Sequence, residues 1–264
     1  MTAGIDVSHY QSPAAVPWKT LAAVGGFCIV RMTYGVARDE RAAEHVARAR
    51  AAGVRVGAYH FFRASQPVAV QLGAFRGACS AADYGHPTDI VPAVDWEDDT
   101  SKAPITPAQS PLVEEFCGEL AQAFGQRPLL YITQRDWGRV GSPAWALEHD
   151  LWVAHYSAAS RQSPATPGGR PWAIWQHRVG PLELAGPHGY YQPATYDHNL
   201  AQVLPLLNGT RLGDAAAAQA THQAPELDEH HTEALRADLL ATLAREGVAE
   251  SHAAGMREMA AEEA

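Results

Sequence analysis

Short apolar and β-branched runs recur through the first 210 residues, separated by longer stretches whose apolar positions repeat at helical spacing. The runs fall at residues 4–7, 27–32, 56–61, 91–96, 129–133, 151–155, 173–177 and 195–199. Between the earlier ones, residues 41–52, 67–82 and 108–124 carry Ala, Leu and Val in the pattern of helices packed on a sheet. Gly53 stands where the first of these helices should stop. Strands alternating with helices predict parallel strands joined by crossover helices, and eight strands predict a closed barrel. After the fifth strand, residues 160–171 and 179–193 are rich in Ser, Pro and Gly, which predicts loops in place of later crossover helices. The expected fold class is α/β, an irregular TIM-like barrel over residues 1–212 with a C-terminal helical extension.

Residues 213–226 are rich in Ala and Gln without a core pattern and read as a linker. Residues 227–264 read as an acidic helical tail. Over residues 228–246, Leu235, Leu239 and Leu243 recur every fourth position, and Gly247 is placed to end the helix. That stripe fits a helix docked on the barrel or a frayed appendage. It also fits an arm for self-association or attachment to a larger particle. His230 and His231 are adjacent and so do not share a helix face, which argues against a metal site there.

The formal charge of −9 is concentrated in the tail, which carries 11 acids and 3 bases from Asp214 onward. The body before it is nearly neutral, so no basic field invites nucleic acid, and the tail repels it. No apolar run of about 18 residues is present, which excludes membrane insertion by such a helix. The chain opens Met1-Thr2-Ala3-Gly4 without a secretory signal. Cys28, Cys79 and Cys117 are widely spaced in apolar or helical surroundings and read as buried thiols, neither disulfides nor metal ligands.

The chemistry concentrates where the apolar run Ile90-Val91-Pro92-Ala93-Val94 meets Asp95-Trp96-Glu97-Asp98-Asp99. Side chains two apart on a strand share a face, so Asp95 and Glu97 point together, with Cα atoms about 6.6 Å apart, and Trp96 points away. Glycoside cleavage needs one carboxyl to protonate the leaving oxygen and another as base, nucleophile or stabiliser. A same-face acid pair at a strand end supplies both, although the same residues also fit plain solvated loop acids. Asp6 and Asp197 lie at the ends of the first and last strands. If those strands are neighbours, four carboxylates meet at one mouth. Tyr10, Tyr34, Tyr59, Phe61, Tyr131, Trp152, Tyr156, Trp175 and Tyr196 cluster near strand ends, where rings can stack on sugar C–H faces, and His60, Gln176 and Asn199 offer polar partners. For each aromatic taken singly, core packing is the better reading, and it is their joint placement that favours a saccharide groove.

Ordered along the chain, Gly4-Ile5-Asp6-Val7-Ser8-His9-Tyr10-Gln11, Val56-Gly57-Ala58-Tyr59-His60-Phe61-Phe62-Arg63 and Val94-Asp95-Trp96-Glu97 are followed by four further motifs. These are Leu129-Leu130-Tyr131-Ile132-Thr133, Leu151-Trp152-Val153-Ala154-His155-Tyr156, Ala173-Ile174-Trp175-Gln176 and Tyr196-Asp197-His198-Asn199. Over residues 4–205 the chain resembles glycoside hydrolase family 25, the N-acetylmuramidases that include Chalaropsis-type lysozymes and many phage endolysins. The resemblance implies a flattened β/α barrel that hydrolyses the β-1,4 bond between N-acetylmuramic acid and N-acetylglucosamine of the peptidoglycan glycan strand, without a cofactor. It implies Glu97 as general acid. It makes Asp95 either the attacking acid or the one that steadies the substrate's acetamido group, with Asp6 and Asp197 positioning and polarising the others. Substrate contacts are expected from Tyr10, Tyr34, Tyr59, His60, Phe61, Tyr131, Trp152, Tyr156, Trp175, Gln176 and Asn199. The chain departs from the family at Met32-Thr33-Tyr34-Gly35, where members commonly carry Thr-Glu-Gly. With no signal sequence, delivery to the wall through a holin, by lysis or on a particle is expected. The competing reading is a structural or assembly component of a phage or injection particle that keeps the barrel for wall binding. A chitinase-like hydrolase is a third.

Overall fold

In the computed structural model, nine strands among the described residues form one sheet, and eight of them close into a barrel. The structure describes residues 1–99, 104–156, 164–180 and 195–213. The proposed linker beyond Gly213, the tail with its leucine stripe and His230 and His231 all lie outside the described residues. The chain runs β1 (Thr2–Val7), α1 (Trp18–Ala23), β2 (Phe27–Tyr34), β3 (Ala37–Arg38), α2 (Ala42–Ala51), β4 (Arg55–Phe61) and α3 (Val68–Ala81). It continues through β5 (Ala93–Asp95), α4 (Ser110–Phe124), β6 (Leu129–Tyr131), α5 (Gln134–Arg139), β7 (Leu151–Ala154), β8 (Trp172–Gly180) and β9 (Tyr196–Ala201). Around the barrel the order is β1, β2, β4, β5, β6, β7, β8, β9 and back to β1, while β3 folds onto β2 as a hairpin.

All eight expected strands are present, and the three expected long helices are α2, α3 and α4. Gly53 ends the first of them in the left-handed region at φ 80°, donating its N–H to the Arg50 carbonyl. The six-residue helices α1 and α5 were not expected, because they are too short to show a period.

One expectation is corrected: the barrel is not wholly parallel. β9 runs antiparallel to both β8 and β1. Residues 179–193 lack helical periodicity, and a chain without a crossover re-enters a sheet from the end it left, which reverses its direction. The start of β9, and with it Asp197, therefore lies at the end of the barrel where the parallel strands finish. Asp6 is paired directly with Asp197.

Apolar side chains fill the barrel below that mouth. Phe27, Ile29, Ile90, Ala93, Leu129, Trp152 and Ile174 pack as one buried cluster. The floor is closed by a small hairpin of β10 (Leu204–Pro205) and β11 (Arg211–Leu212), where Leu204 and Leu206 join the cluster and Ile90 bridges to Leu206. Cys28, Cys79 and Cys117 are buried free thiols, as their surroundings implied. No helix among the described residues is long and apolar enough to cross a membrane.

Packing between β1 and β2 is tight enough to test. A Cβ on Gly4 would lie 2.5 Å from the fully buried Phe27 ring. Gly4→Ala is expected to cost about 1–2 kcal/mol by overpacking, read as a lower urea midpoint with unchanged m-value. An unchanged midpoint would show that the ring has room to move.

Candidate active site

The alternation expected at the end of β5 is present and is fixed from outside. Trp96, 1% exposed, stacks on Trp145 at 5.8 Å and donates its indole N–H to Gln109 Oε1 at 3.2 Å. Its backbone N–H continues the ladder to the Tyr131 carbonyl. With Trp96 anchored among the helices, the residues on either side of it, Asp95 and Glu97, face the barrel mouth. Both line a cleft of roughly 1320 Å³, as do Asp6 from β1 and Asp197 from β9. Four carboxyls from three segments distant in sequence thus share one cavity.

Asp6 is held by two amides. Gln176 Nε2 and Asn199 Nδ2 each donate to Asp6 Oδ2 at 2.8 Å. The amide oxygens are occupied in turn: Gln176 Oε1 accepts the hydroxyls of Tyr131 and Tyr156, and Asn199 Oδ1 accepts the Trp152 indole N–H at 2.8 Å. These bonds leave each amide one orientation. Tyr156 also reaches Asp197 Oδ1 at 3.4 Å.

Tyr10, Tyr34, Tyr59, Phe61, Tyr131 and Tyr156 line the cleft, and Tyr10 and Tyr156 stand exposed on its rim. Five other expected contacts do not line it. His60 is buried on the outer face, stacked on Phe116 and bonded to Thr33 Oγ1 and Gln71 Oε1, because it falls between the inward-facing Tyr59 and Phe61. Trp175 is outward for the same reason. It packs against Trp172 and donates to the His155 carbonyl, while its neighbours Ile174 and Gln176 point inward. Trp152, Gln176 and Asn199 point inward but lie buried beneath the cleft, Gln176 and Asn199 bonded to Asp6 and Trp152 to Asn199. Tyr196 donates its hydroxyl to the Ala15 carbonyl, away from the acids.

Several lining residues were not anticipated. Arg31, buried in β2, bonds Asp39 Oδ2 at 3.0 Å and His9 Nδ1, and lies 5.7 Å from the Tyr10 ring centre. A lone charge on the inward face of an apolar strand was its available signal. Thr133 caps α5: its Oγ1 accepts the Asp136 N–H, and its hydroxyl donates back to Asp136 Oδ2 at 2.8 Å. The Thr133-x-x-Asp136 spacing just past a strand was legible as a capping pattern.

The model of the glycosyl hydrolases family 25 matches residues 5–180. The chain belongs to that family. Its relatives include Lysozyme M1 of Streptomyces globisporus, 27% identical over 222 residues that cover 78% of this chain and 71% of that protein. The bacterial lysozyme from Streptomyces coelicolor shares the fold with a TM-score of 0.64 at 24% identity, covering 79% of this chain and 96% of that one. A family 25 glycosyl hydrolase from Bacillus anthracis does so at 0.63 and 22% identity, covering 76% and 88%.

The electrostatics of this glycoside hydrolase follow from crowding four acids in a partly dry cleft. Glu97 is pushed up to about 7, first by burial and then by Asp136, Asp197 and Asp98, against the opposing pull of Arg135. Asp95 is raised by burial and by Glu97 and Asp6, opposed by Arg31, and its Oδ1 has no hydrogen-bond partner among the described residues. Asp6 is raised by burial and Asp197, with the Asn199 and Gln176 bonds pulling it down. Asp197 is raised by burial, eased by the Tyr156 bond. The site therefore holds protons near neutrality and has ring-bearing walls around them.

Proposed function

We propose that this family 25 hydrolase is an N-acetylmuramidase that cleaves the β-1,4 bond between N-acetylmuramic acid and N-acetylglucosamine, with Glu97 as general acid. The observation that carries the assignment is Glu97 at the cleft mouth with its carboxyl held protonated to about pH 7, beside three further acids. A carboxyl poised there can protonate the leaving oxygen and later draw a proton from water. Asp95, on the same face, serves either as the group that attacks the anomeric carbon or as the one that steadies the substrate's acetamido group in that attack. Asp6, fixed by its two amides, and Asp197, bonded to Tyr156, orient and polarise this pair. Tyr10 and Tyr156 offer rings to the sugar faces. The relative named Lysozyme M1 supports a peptidoglycan substrate. Residues 1–212 form the catalytic barrel in this reading, 213–226 a linker and 227–264 an acidic tail suited to self-association or particle attachment. Action on the wall would follow release by a holin, by lysis or on a particle. No feature of the cleft favours a purely structural wall-binding role, since all four acids line it.

Digestion of purified peptidoglycan followed by borohydride reduction tests the bond specificity. Muramitol ends are expected, and glucosaminitol ends in their place would overturn the reading in favour of a chitinase-like or glucosaminidase activity. The clearing rate is also expected to fall as pH rises through about 7, because Glu97 must carry its proton to act. A rate climbing through that pH would remove Glu97 from the acid role.

A further inference from the structure

The loop that bears Glu97 is clamped from both sides by arginines that do not line the cleft. On one flank, Arg139 Nη1 donates to Asp98 Oδ2 at 2.5 Å and to Asp136 Oδ1 at 3.0 Å, so a single nitrogen ties the residue after Glu97 to α5. Asp98 Oδ1 accepts the Ile105 N–H at 2.6 Å, which fixes its other oxygen. Asp136 is itself 1% exposed and bonded to Thr133, Arg135 and Arg139. On the opposite flank, Arg63 pairs with Asp99 at 3.3 Å and lies 4.9 Å from the Tyr34 ring centre. The Arg63 backbone is gripped by Gln71, which accepts its N–H and donates to its carbonyl, both at 2.9 Å.

Resting on the assignment of Glu97 as acid, we propose that Arg139 and Asp136 are positioning residues that hold the Glu97 carboxyl over the cleft and set the field around it. The groups facing Glu97 are Asp95 and Asp98 on its own segment, Asp6 from β1, Asp197 from β9, Tyr131 from β6, Tyr156 after β7, and Arg135 and Asp136 from α5. Among these, Asp136 is the buried negative charge that makes ionisation of Glu97 harder, while Arg139, behind them, is the cation that pairs with both Asp136 and Asp98 and offsets their charge. Removing one or the other therefore moves the Glu97 titration in opposite directions. A strut that merely supported the fold would move both the same way or neither.

The test is the pH profile of the first-order clearing rate on dilute purified peptidoglycan for the full chain. Arg139→Gln is expected to shift the basic limb upward by about half a pH unit and to lower the plateau severalfold. Asp136→Asn, which keeps the shape and an acceptor oxygen, is expected to shift that limb downward by a similar amount. Arg139→Lys, which keeps the charge, is expected to restore the wild-type limb. Profiles of Arg139→Gln and Asp136→Asn that superimpose on wild type, while Glu97→Gln is inactive, would overturn the positioning role and leave the acid assignment standing. Wild-type clearing by Glu97→Gln would overturn both.

Discussion

Replacing Glu97 by Gln is expected to slow peptidoglycan cleavage about 1000-fold while making the folded protein more stable above neutral pH. The two effects share a cause. The carboxyl keeps its proton to about pH 7 in the folded protein, against an ordinary value of 4.5. Between those values the folded state binds more protons than the unfolded chain, so stability declines as pH rises. The penalty is absent below about pH 4 and complete above about pH 7.5. Gln removes the ionisation and with it a penalty of about 3 kcal/mol at alkaline pH. Melting temperatures of both proteins at pH 4 and pH 8 read this directly: the gain should appear at pH 8 and vanish at pH 4. Burial also raises Asp6, Asp95 and Asp197 but lowers His45, His60, His149 and His177, whose contributions run the other way between pH 5 and pH 8, so it is the difference between wild type and the Gln variant that isolates Glu97. A Gln variant whose melting temperature differs from wild type equally at both pH values would contradict the placement of a strained carboxylate there.

The residues that were legible in the sequence are those whose placement depends only on strand alternation. Asp95, Trp96 and Glu97 follow it, with the tryptophan anchored outside and the two acids inside. The same rule, applied to the strand around Tyr59 and Phe61, would have turned His60 outward, and applied to Ile174 and Gln176 it would have turned Trp175 outward. Their position inside family motifs masked a signal that was present. Asp197 was a different case. Its chemistry was visible, but its arrival at the mouth depends on β9 running antiparallel, and strand direction leaves no trace in the alternation of side chains. Arg31 illustrates what single segments cannot reveal. Its partner Asp39 comes from beyond the β2–β3 hairpin and His9 from the loop after β1, so the cluster exists only once three segments have met. Gln176 and Asn199 were expected as substrate contacts, and the structure places them beneath the cleft, bonded to Asp6. Depth in the barrel separates a substrate contact from a support beneath it, and depth is a tertiary property.

Asn199→Leu is expected to be the most damaging substitution among those supports, costing about 3 kcal/mol and about 100-fold in rate. The side chain is 1% exposed and completes two bonds at once: its Nδ2 holds Asp6 Oδ2, and its Oδ1 accepts the indole N–H of Trp152, itself 2% exposed. Leucine fills nearly the same space but leaves a buried N–H without an acceptor and a buried carboxylate with one donor fewer, and each loss carries a desolvation cost that no new contact repays. The two consequences separate in a double variant. Trp152→Phe removes the stranded N–H, so in the Asn199→Leu background it should be better tolerated by about 1 kcal/mol than in the wild type, where it leaves the buried Asn199 Oδ1 without its donor and loses some packing. The rate should stay low in the double variant, since Asp6 would still lack its second amide. Strict additivity of the stability changes would mean that Asn199 and Trp152 do not depend on each other. Recovery of the rate with Trp152→Phe would mean that Asn199 acts through the indole and not through Asp6.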